Sequence, residues 1–127
     1  MIAGVGIDIV EYERIDRIHE RYQERFAKRI LDEAEMQDYM NTASPVRLLA
    51  KRFAAKEAAS KALGTGFRNG ITLSMICIRH DENGKPLLEL KAKAAERADL
   101  MGVVNQWVSI SDEDHHSVAM VIFETSG

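Results

Sequence analysis

The sequence has a single cysteine, two prolines and few aromatic residues, which make up 6% of the chain. With Cys77 alone no internal disulfide can form, and this is typical of a reducing compartment. In the segment ITLSMICIRH, Cys77 is predicted to be a small buried side chain rather than a nucleophile. The chain also lacks a membrane-length apolar segment and a secretion signal, so we expect a cytoplasmic protein.

Internal repeats, low-complexity tracts and long Pro/Gly/Ser linkers are absent as well. The 127 residues, 46% of them hydrophobic, predict one domain over residues 1–127 with a core of its own. A site in so small a domain is expected to be shallow or shared. The net charge is only −3, so no global field indicates a nucleic-acid partner, and charge has to be considered locally.

Hydrophobic periodicity and turn residues predict a strand, three helices, a hairpin, a helix and a second hairpin. The first strand covers residues 2–10, and the helices that follow cover 13–30, a segment capped by Asp32 and Glu35 that ends near 41, and 45–63. The remaining predicted elements are strands at 71–80 and 86–90, a helix at 91–102, and strands at 105–111 and 117–124. This order predicts an α+β fold with mainly antiparallel pairing.

Asp8 interrupts the otherwise apolar or glycine segment MIAGVGIDIV. A carboxylate between two isoleucines requires a cation, a hydrogen-bond donor or a route to water. Gly4 and Gly6 precede it in the same strand and permit close approach of another backbone. The sequence therefore predicts a compensating partner for Asp8.

A second group of charges lies on the helix at 45–63, where Glu57 and Lys61 are spaced i,i+4. Alone, such a pair is typical of a solvated helix surface. The glycine-rich segment GTGFRNG follows at 64–70; it does not match the phosphate loop of nucleoside triphosphatases, and its pattern fits either a ligand loop or a helix end with a turn. Two carboxylates, Asp8 and Glu57, with lysines nearby are nevertheless what magnesium-assisted phosphoryl transfer requires.

Two longer stretches, GIDIVEYERI and RFAAKEAASKALGTG, closely resemble the signatures of the holo-acyl-carrier-protein synthases, the bacterial 4′-phosphopantetheinyl transferases. The resemblance runs from end to end and includes the NGKP turn and the closing VSIS and SVAMVI strands. It implies a 4′-phosphopantetheinyl transferase-like fold. It also implies Mg²⁺-dependent transfer of 4′-phosphopantetheine from coenzyme A to a serine of apo-acyl carrier protein, chiefly for fatty acid synthesis, with release of adenosine 3′,5′-bisphosphate.

The resemblance also implies site residues. Asp8 and Glu57 would be the protein ligands of Mg²⁺, and Glu57, directly or through a metal-bound water, would be the general base. Lys61 would neutralise or protonate the leaving phosphate. The residues expected to bind coenzyme A are Arg52, Lys56, Lys61, Gly64, Thr65, Gly66, Lys85 and Pro86.

One position departs from the pattern of many relatives, which carry a nucleotide-holding histidine directly after the SIS strand. Asp112 stands there in this sequence, in SISDEDHHSVA. We do not transfer the histidine's role to His115 or His116, for which exposed positions without a catalytic role are favoured.

The first helix carries a basic strip, defined as Arg14, Arg21, Arg25 and Lys28. A helical wheel places this strip beside an apolar face. A solubilising face is the ordinary interpretation of such a strip. The resemblance instead implies a surface for acyl carrier protein, an acidic partner, and the scarcity of aromatic residues argues against nucleic acid.

The resemblance further implies a homotrimer with active sites at subunit interfaces. Trp107 is predicted to pack in the core or an interface. The alternative from another class is a non-catalytic coenzyme A or carrier-protein binding subunit of the same fold. A different magnesium phosphotransferase that uses another nucleotide is a weaker alternative.

Overall fold

The computed structural model describes all of residues 1–127 and contains five helices and five strands. In chain order these are β1 (Ile2–Glu11), α1 (Tyr12–Tyr22), α2 (Glu24–Ile30), α3 (Glu33–Asn41), α4 (Pro45–Ala62), β2 (Ile76–His80), β3 (Pro86–Leu90), α5 (Ala92–Leu100), β4 (Val103–Asp112) and β5 (His116–Thr125). A short 3₁₀ turn at Leu73–Met75 precedes β2.

The strands form two antiparallel sheets, which confirms the predicted α+β class and both hairpins. One sheet has the order β1–β5–β4, and the other is the β2–β3 hairpin. In the larger sheet Asp8 is paired with Ala119, and Gly6 with Val121. Because Ala119 and Val121 are fully buried, this register places Asp8 on the face of β1 that is turned towards the core.

Helix α4 packs on this inner face, and Gly4 and Gly6 allow it to do so closely. A Cβ atom at Gly4 would lie 2.0 Å from the carbonyl oxygen of Ala62, and one at Gly6 would lie 1.8 Å from that of Ala58. Both distances are far below van der Waals contact, so only glycine fits. The predicted close approach of another backbone is confirmed.

The core lies between the alanine-rich face of α4 and the inner face of the larger sheet. Its buried members include Ala54, Ala58, Val121 and Phe123. Cys77 is also buried, as predicted, and hydrogen-bonds to the Ser74 carbonyl oxygen. No helix has the length and apolar character needed to span a membrane.

The predicted helix at 13–30 is wrong as a single element, because it breaks at Gln23. This residue has a φ of 51°, and its backbone N–H caps α1 by donating to the His19 carbonyl oxygen at 2.8 Å. The break redirects the chain, so that Ile15 of α1 and both Ala27 and Ile30 of α2 are buried. The polar segment HERYQER contains no glycine or proline that would predict it.

The predicted strand at 71–80 is also shorter in the structure, where only Ile76–His80 pairs with β3. The preceding residues form the 3₁₀ turn. The ammonium of Lys56 accounts for this, because it donates hydrogen bonds to the carbonyl oxygens of Leu73, at 3.1 Å, and Ile76, at 2.5 Å. By contrast, the predicted end of α4 is confirmed by Gly64, which follows it with a φ of 79°.

Five large apolar side chains on the outer face of the β1–β5–β4 sheet are exposed. They are Val5, Ile7, Ile9, Met120 and Trp107. Trp107 is therefore not a core residue, since 49% of it is accessible. No element of the chain covers this face.

Candidate active site

Asp8 is compensated by Lys61 where β1 crosses α4. The Lys61 Nζ donates to Asp8 Oδ1 at 3.0 Å and to the Ile7 carbonyl oxygen at 2.9 Å. The Asp8 side chain is only 18% exposed, whereas that of Lys61 is 52% exposed. The structure thus supplies the cation that the acid in an apolar strand requires, and solvent reaches this cation.

Glu57 lies one helical turn before Lys61, and its carboxylate receives no hydrogen bond. Burial raises the pKa of the Glu57 carboxyl, and the charge of Asp8 raises it further, whereas Lys61 and Arg14 act in the opposite direction. The two carboxylates therefore repel each other across the β1–α4 contact. Hard oxygen ligands of this kind suit a divalent cation such as Mg²⁺, and only Oδ1 of Asp8 is engaged by the protein.

The glycine segment continues directly from this end of α4. Gly64 and Gly66 both have positive φ angles, and the Gly66 N–H donates to the Ser60 carbonyl oxygen at 3.1 Å. Thr65 Oγ1 bonds to the Gly66 carbonyl oxygen at 2.9 Å. A Cβ atom at Gly66 would meet nothing within 4 Å, so the loop borders open space. The structure therefore groups Asp8, Glu57, Lys61 and the loop Gly64–Gly66.

Lys56 lies elsewhere, on the buried side of α4. Its side chain is fully buried, and its Nζ donates to Glu35 Oε1 at 2.7 Å as well as to the two carbonyl oxygens of the 3₁₀ turn and β2. Burial lowers the pKa of Lys56, and the charge of Glu35 opposes that shift. All three hydrogens of the ammonium are used inside the protein, so we leave Lys56 out of the proposed coenzyme A-binding residues.

Arg52 belongs to the same buried cluster. Its two terminal nitrogens donate to Glu35 Oε2 at 3.3 Å and to Asp38 Oδ2 at 3.2 Å. The predicted capping box of α3 is confirmed, since Asp32 and Glu35 exchange both hydrogen bonds. The sequence did not predict that Glu35 pairs with the two buried cations Arg52 and Lys56. An Arg and a Lys spaced i,i+4 within the alanine-rich segment RFAAKEAA were the available signal, because such a face is buried and its cations need an acid.

A second group of possible metal ligands consists of Asp32, Glu35 and Cys77, whose donor atoms lie within 4.8 Å of one another. Protein cations already neutralise it. Arg79 hydrogen-bonds to Asp32 at 2.7 Å and holds the pKa of that carboxyl far below its usual range, with a further contribution from Lys91. Burial raises the pKa of the Cys77 thiol to about 11. The thiol is therefore protonated, and this group does not suit a metal ion.

Arg52 and Pro86 meet at a cavity of about 260 Å³ between α4 and the two hairpins. Its lining residues are Leu48, Lys51, Arg52, His80, Gly84, Pro86, Ile110 and Asp112. Burial lowers the pKa of His80, and the charge of Arg52 lowers it further. Lys85 is adjacent in sequence, but its Nζ lies over the Trp107 ring, 5.5 Å from the centroid. Lys51 and Arg52 supply positive charge to this cavity, which suits an anion, and Asp112 is the one acid in its lining.

The predicted coenzyme A-binding residues thus fall into two groups on one chain. Lys61 and the glycine loop lie at the end of α4, whereas Arg52 and Pro86 lie at the cavity. Arg52 and Lys61 are nine positions apart on the helix, which corresponds to roughly 13 Å along the axis. A single chain does not bring the two groups into one pocket.

The basic strip borders an apolar cavity of about 570 Å³. The cavity is lined by Ile18, Tyr22, Arg25, Phe26, Arg29, Ile30, Phe53 and Leu73. Arg14 lies over the Phe53 ring, and Arg21 and Arg25 lie over that of Tyr22. Lys28 is 4.0 Å from Glu24 and lines a different surface. The structure therefore places Arg14, Arg21 and Arg25 around this apolar cavity and Lys28 outside it.

Comparison with known proteins gives consistent matches over nearly the whole chain. The model of the 4′-phosphopantetheinyl transferase superfamily matches residues 4–121. The chain is 50% identical to the holo-[acyl-carrier-protein] synthase of Vibrio vulnificus and 51% identical to that of Vibrio cholerae, in each case over 98% of both sequences.

Solved structures agree with these matches. The holo-[acyl-carrier-protein] synthase of Neisseria meningitidis has a TM-score of 0.91 and 40% identity, with 98% of this chain and 100% of that one covered. The enzyme of Helicobacter pylori in complex with coenzyme A has a TM-score of 0.82 and 30% identity, with 94% and 99% covered. The resemblance inferred from the two signature stretches is thereby confirmed, and the chain belongs to the 4′-phosphopantetheinyl transferase superfamily.

Proposed function

We propose that this protein is a Mg²⁺-dependent holo-acyl-carrier-protein synthase. It transfers 4′-phosphopantetheine from coenzyme A to a serine hydroxyl of apo-acyl carrier protein, and it releases adenosine 3′,5′-bisphosphate. The observation that carries the proposal is the arrangement of Asp8, Glu57 and Lys61 beside the loop Gly64–Gly66. Relatives that are about 50% identical to this chain are named holo-[acyl-carrier-protein] synthase, and one similar structure is described as a complex with coenzyme A.

In this mechanism Asp8 and Glu57 would hold Mg²⁺, whose positive charge would offset the negative charge of the pyrophosphate. The carboxylate of Glu57, which lies near Asp8 and Lys61, accepts the proton of the attacking serine hydroxyl. The serine oxygen forms a bond to the phosphorus on the pantetheine side, and the bond from that phosphorus to the bridging oxygen breaks. Lys61 is half exposed, so it can turn from Asp8 and donate to the leaving phosphate.

We propose that coenzyme A contacts both groups of predicted residues. Lys61 and the backbone of Gly64, Thr65 and Gly66 bind its pyrophosphate side. The cationic cavity that contains Arg52 and Pro86, with Lys85 at its edge, binds the nucleotide end. The two groups are roughly 13 Å apart along the helix. We therefore propose that each site combines Lys61 and the glycine loop of one subunit with the cavity of Arg52 and Pro86 of a neighbouring subunit.

The outer face of the β1–β5–β4 sheet supports this assembly. Ile7 and Ile9 of β1 and Met120 of β5 are 58%, 61% and 40% exposed, and Trp107 lies on the same face. Contiguous apolar side chains on a sheet face are typical of an interface between subunits. We therefore propose a homotrimer whose active sites lie at the subunit interfaces. The mass of the assembly in solution tests this proposal.

The basic strip is the proposed docking surface for acyl carrier protein. Arg14, Arg21 and Arg25 surround an apolar cavity, which suits an acidic helical partner that also presents apolar side chains. Lys28 was predicted to be part of the strip but lies outside the apolar cavity. We propose that its charge only helps to attract the acidic carrier protein at long range. We propose no nucleic-acid partner, because arginines of this chain already lie over the Tyr22 and Phe53 rings of this surface.

The setting of the reaction is proposed on the same basis. We propose that residues 1–127 form a single catalytic domain, that the protein works in the cytoplasm, and that its carrier serves fatty acid synthesis. The buried, protonated thiol of Cys77 is compatible with a reducing compartment.

The test is the intact mass of apo-acyl carrier protein after incubation with this protein and coenzyme A, with Mg²⁺ and with excess chelator. The expected result is a gain of one phosphopantetheine that chelator abolishes and that Asp8→Ala and Glu57→Ala both lack. No gain on a carrier that a known synthase modifies would overturn the proposal. Retained carrier binding by such an inactive protein would favour the non-catalytic binding subunit instead.

A further inference from the structure

Asp112 is the one acidic side chain among the residues that line the cavity of Lys51 and Arg52. Its Oδ1 accepts a hydrogen bond from Arg47 at 3.1 Å, and its Oδ2 lies 4.0 Å from the ammonium of Lys51. A pocket that attracts a phosphate through its cations thus contains a carboxylate that attracts the same cations. Each oxygen of the Asp112 carboxylate faces a different cation, Arg47 or Lys51.

The cations around Asp112 differ in what else holds them. The guanidinium of Arg47 is also placed over the Tyr12 ring, 4.6 Å from its centroid, and donates to the Glu113 carbonyl oxygen at 3.4 Å. Lys51 has Asp112 as its ion-pair partner and no other. Arg52 is already bound to Glu35 and Asp38. Asp112 therefore competes chiefly for Lys51, the cation of the cavity that has the fewest contacts within the protein.

We propose that Asp112 is an internal competitor of substrate phosphate. In the free protein its carboxylate neutralises Lys51 and Arg47, and a phosphate group of the bound nucleotide displaces it from Lys51. The proposal rests on the proposed function, because it assumes that the cavity receives the nucleotide end of coenzyme A. As a consequence, the affinity for coenzyme A is moderate, because the carboxylate repels the bound phosphate. The same repulsion favours release of adenosine 3′,5′-bisphosphate.

The test is calorimetric titration of coenzyme A and of adenosine 3′,5′-bisphosphate into the intact protein and its Asp112→Asn variant. Asparagine keeps the shape and removes the charge. We expect both ligands to bind roughly three- to tenfold more tightly, the effect of one charge about 4 Å away in a solvated site. Glu113→Gln is the matched control, because it removes the same charge from the next residue, whose side chain does not line the cavity. It should change the affinity by less than about twofold.

A second pair of variants tests the part played by Lys51. If Asp112 competes for Lys51, Lys51→Met should weaken coenzyme A binding more in the Asp112→Asn background than in the wild type. The same titrations with 3′-dephospho-coenzyme A identify the phosphate involved. A gain lost with this ligand assigns the displacement to the 3′-phosphate, and a gain that persists assigns it to the pyrophosphate.

Unchanged or weaker binding by Asp112→Asn, in a variant whose thermal unfolding matches the wild type, would overturn the inference. So would an equal gain from Glu113→Gln, because the effect would then be general electrostatics. These outcomes are distinct from failure of the proposed function, in which the wild-type protein itself neither binds coenzyme A nor modifies the carrier.

Discussion

The ammonium of Lys61 lies 3.0 Å from Asp8 Oδ1, and this contact joins the first strand to the end of the longest helix. The pair combines two tasks, since it neutralises an acid in an apolar strand and keeps a half-exposed cation next to the glycine loop. We expect Lys61→Met to lower the turnover number for carrier modification by roughly 10²-fold, the usual loss when one group that stabilises transition-state charge is removed. Steady-state transfer assays measure this.

The control for Lys61 is Lys93→Met, which removes an exposed lysine of α5 that is 3.8 Å from Glu96. Its turnover should equal that of the wild type. A Lys61→Met protein that folds and retains more than half of the wild-type turnover would show that the leaving phosphate does not depend on Lys61.

Gly6→Ala is expected to prevent stable folding. The added methyl group would lie 1.8 Å from the Ala58 carbonyl oxygen, and the neighbouring backbone leaves it no alternative position. We expect a loss of more than about 4 kcal/mol in the free energy of unfolding, or insoluble protein. Val5→Ala, on the exposed outer face of the same strand, should lose far less in the isolated subunit. Chemical denaturation of both variants measures the difference, and similar midpoints would contradict the close packing.

Lys56→Met separates a structural role from substrate binding. It leaves Arg52 as the only cation paired with Glu35, and breaking a buried ion pair in this way costs about 3–5 kcal/mol of stability. We expect a lower unfolding temperature and, below that temperature, an unchanged KM for coenzyme A. A KM that rises severalfold in folded protein would place Lys56 in the coenzyme A site after all.

Asp32 should make stability depend on pH in acid. Hydrogen bonds from Arg79 hold the pKa of this carboxyl in the folded protein far below the ordinary value of 3.8. The stabilisation is therefore complete above the unfolded pKa and is lost as the pH falls from about 4 towards the folded pKa. Asp32→Asn retains a capping side chain but loses the charge.

The expected result for Asp32→Asn is a deficit in the free energy of unfolding of at least about 2 kcal/mol at pH 7 that narrows below pH 4. Urea denaturation of wild type and variant across that range measures it. A deficit of constant size at every pH would mean that the Arg79 and Lys91 contacts contribute nothing through charge.

Charge reversal at Arg25 tests the carrier surface. Arg25 borders the apolar cavity next to Tyr22 and Phe26, so Arg25→Glu should raise the KM for apo-carrier roughly tenfold at low salt and leave the KM for coenzyme A unchanged. The difference should shrink as salt is added. Lys93→Glu on α5 is the control, and an equal effect of both reversals would exclude a localised docking surface.

Much of the fold could be predicted from the sequence because local signals and burial agree there. The helix of residues 45–63 combines Pro45 at its start, alanine-rich composition and Gly64 at its end, and the turn DENGKP marks the first hairpin. The break at Gln23 could not be predicted, because a non-glycine residue with positive φ leaves no mark in a polar segment. Tertiary packing of α2 overrides a continuous helical pattern.

The candidate site was predictable only in part. A carboxylate in an apolar strand and the family signatures predict Asp8 and Glu57, and the structure brings the two close enough for their charges to interact. Lys56 and Lys61 are both predicted to bind coenzyme A, but only Lys61 lies at the candidate site. They differ by five residues, which is about 140° around the helix, and this rotation alone turns one to the core and the other to solvent.

The glycines of β1 have a consequence for how this protein can change over time. Because Gly4 and Gly6 bring the strand backbone directly against carbonyl groups of α4, the spacing of Asp8 and Glu57 is set by main chain against main chain. Side chains deeper in the core, such as Val121 and Phe123, can then be exchanged for others of similar volume without shifting the two carboxylates. Sequence drift in the interior is thereby uncoupled from the geometry of the reaction.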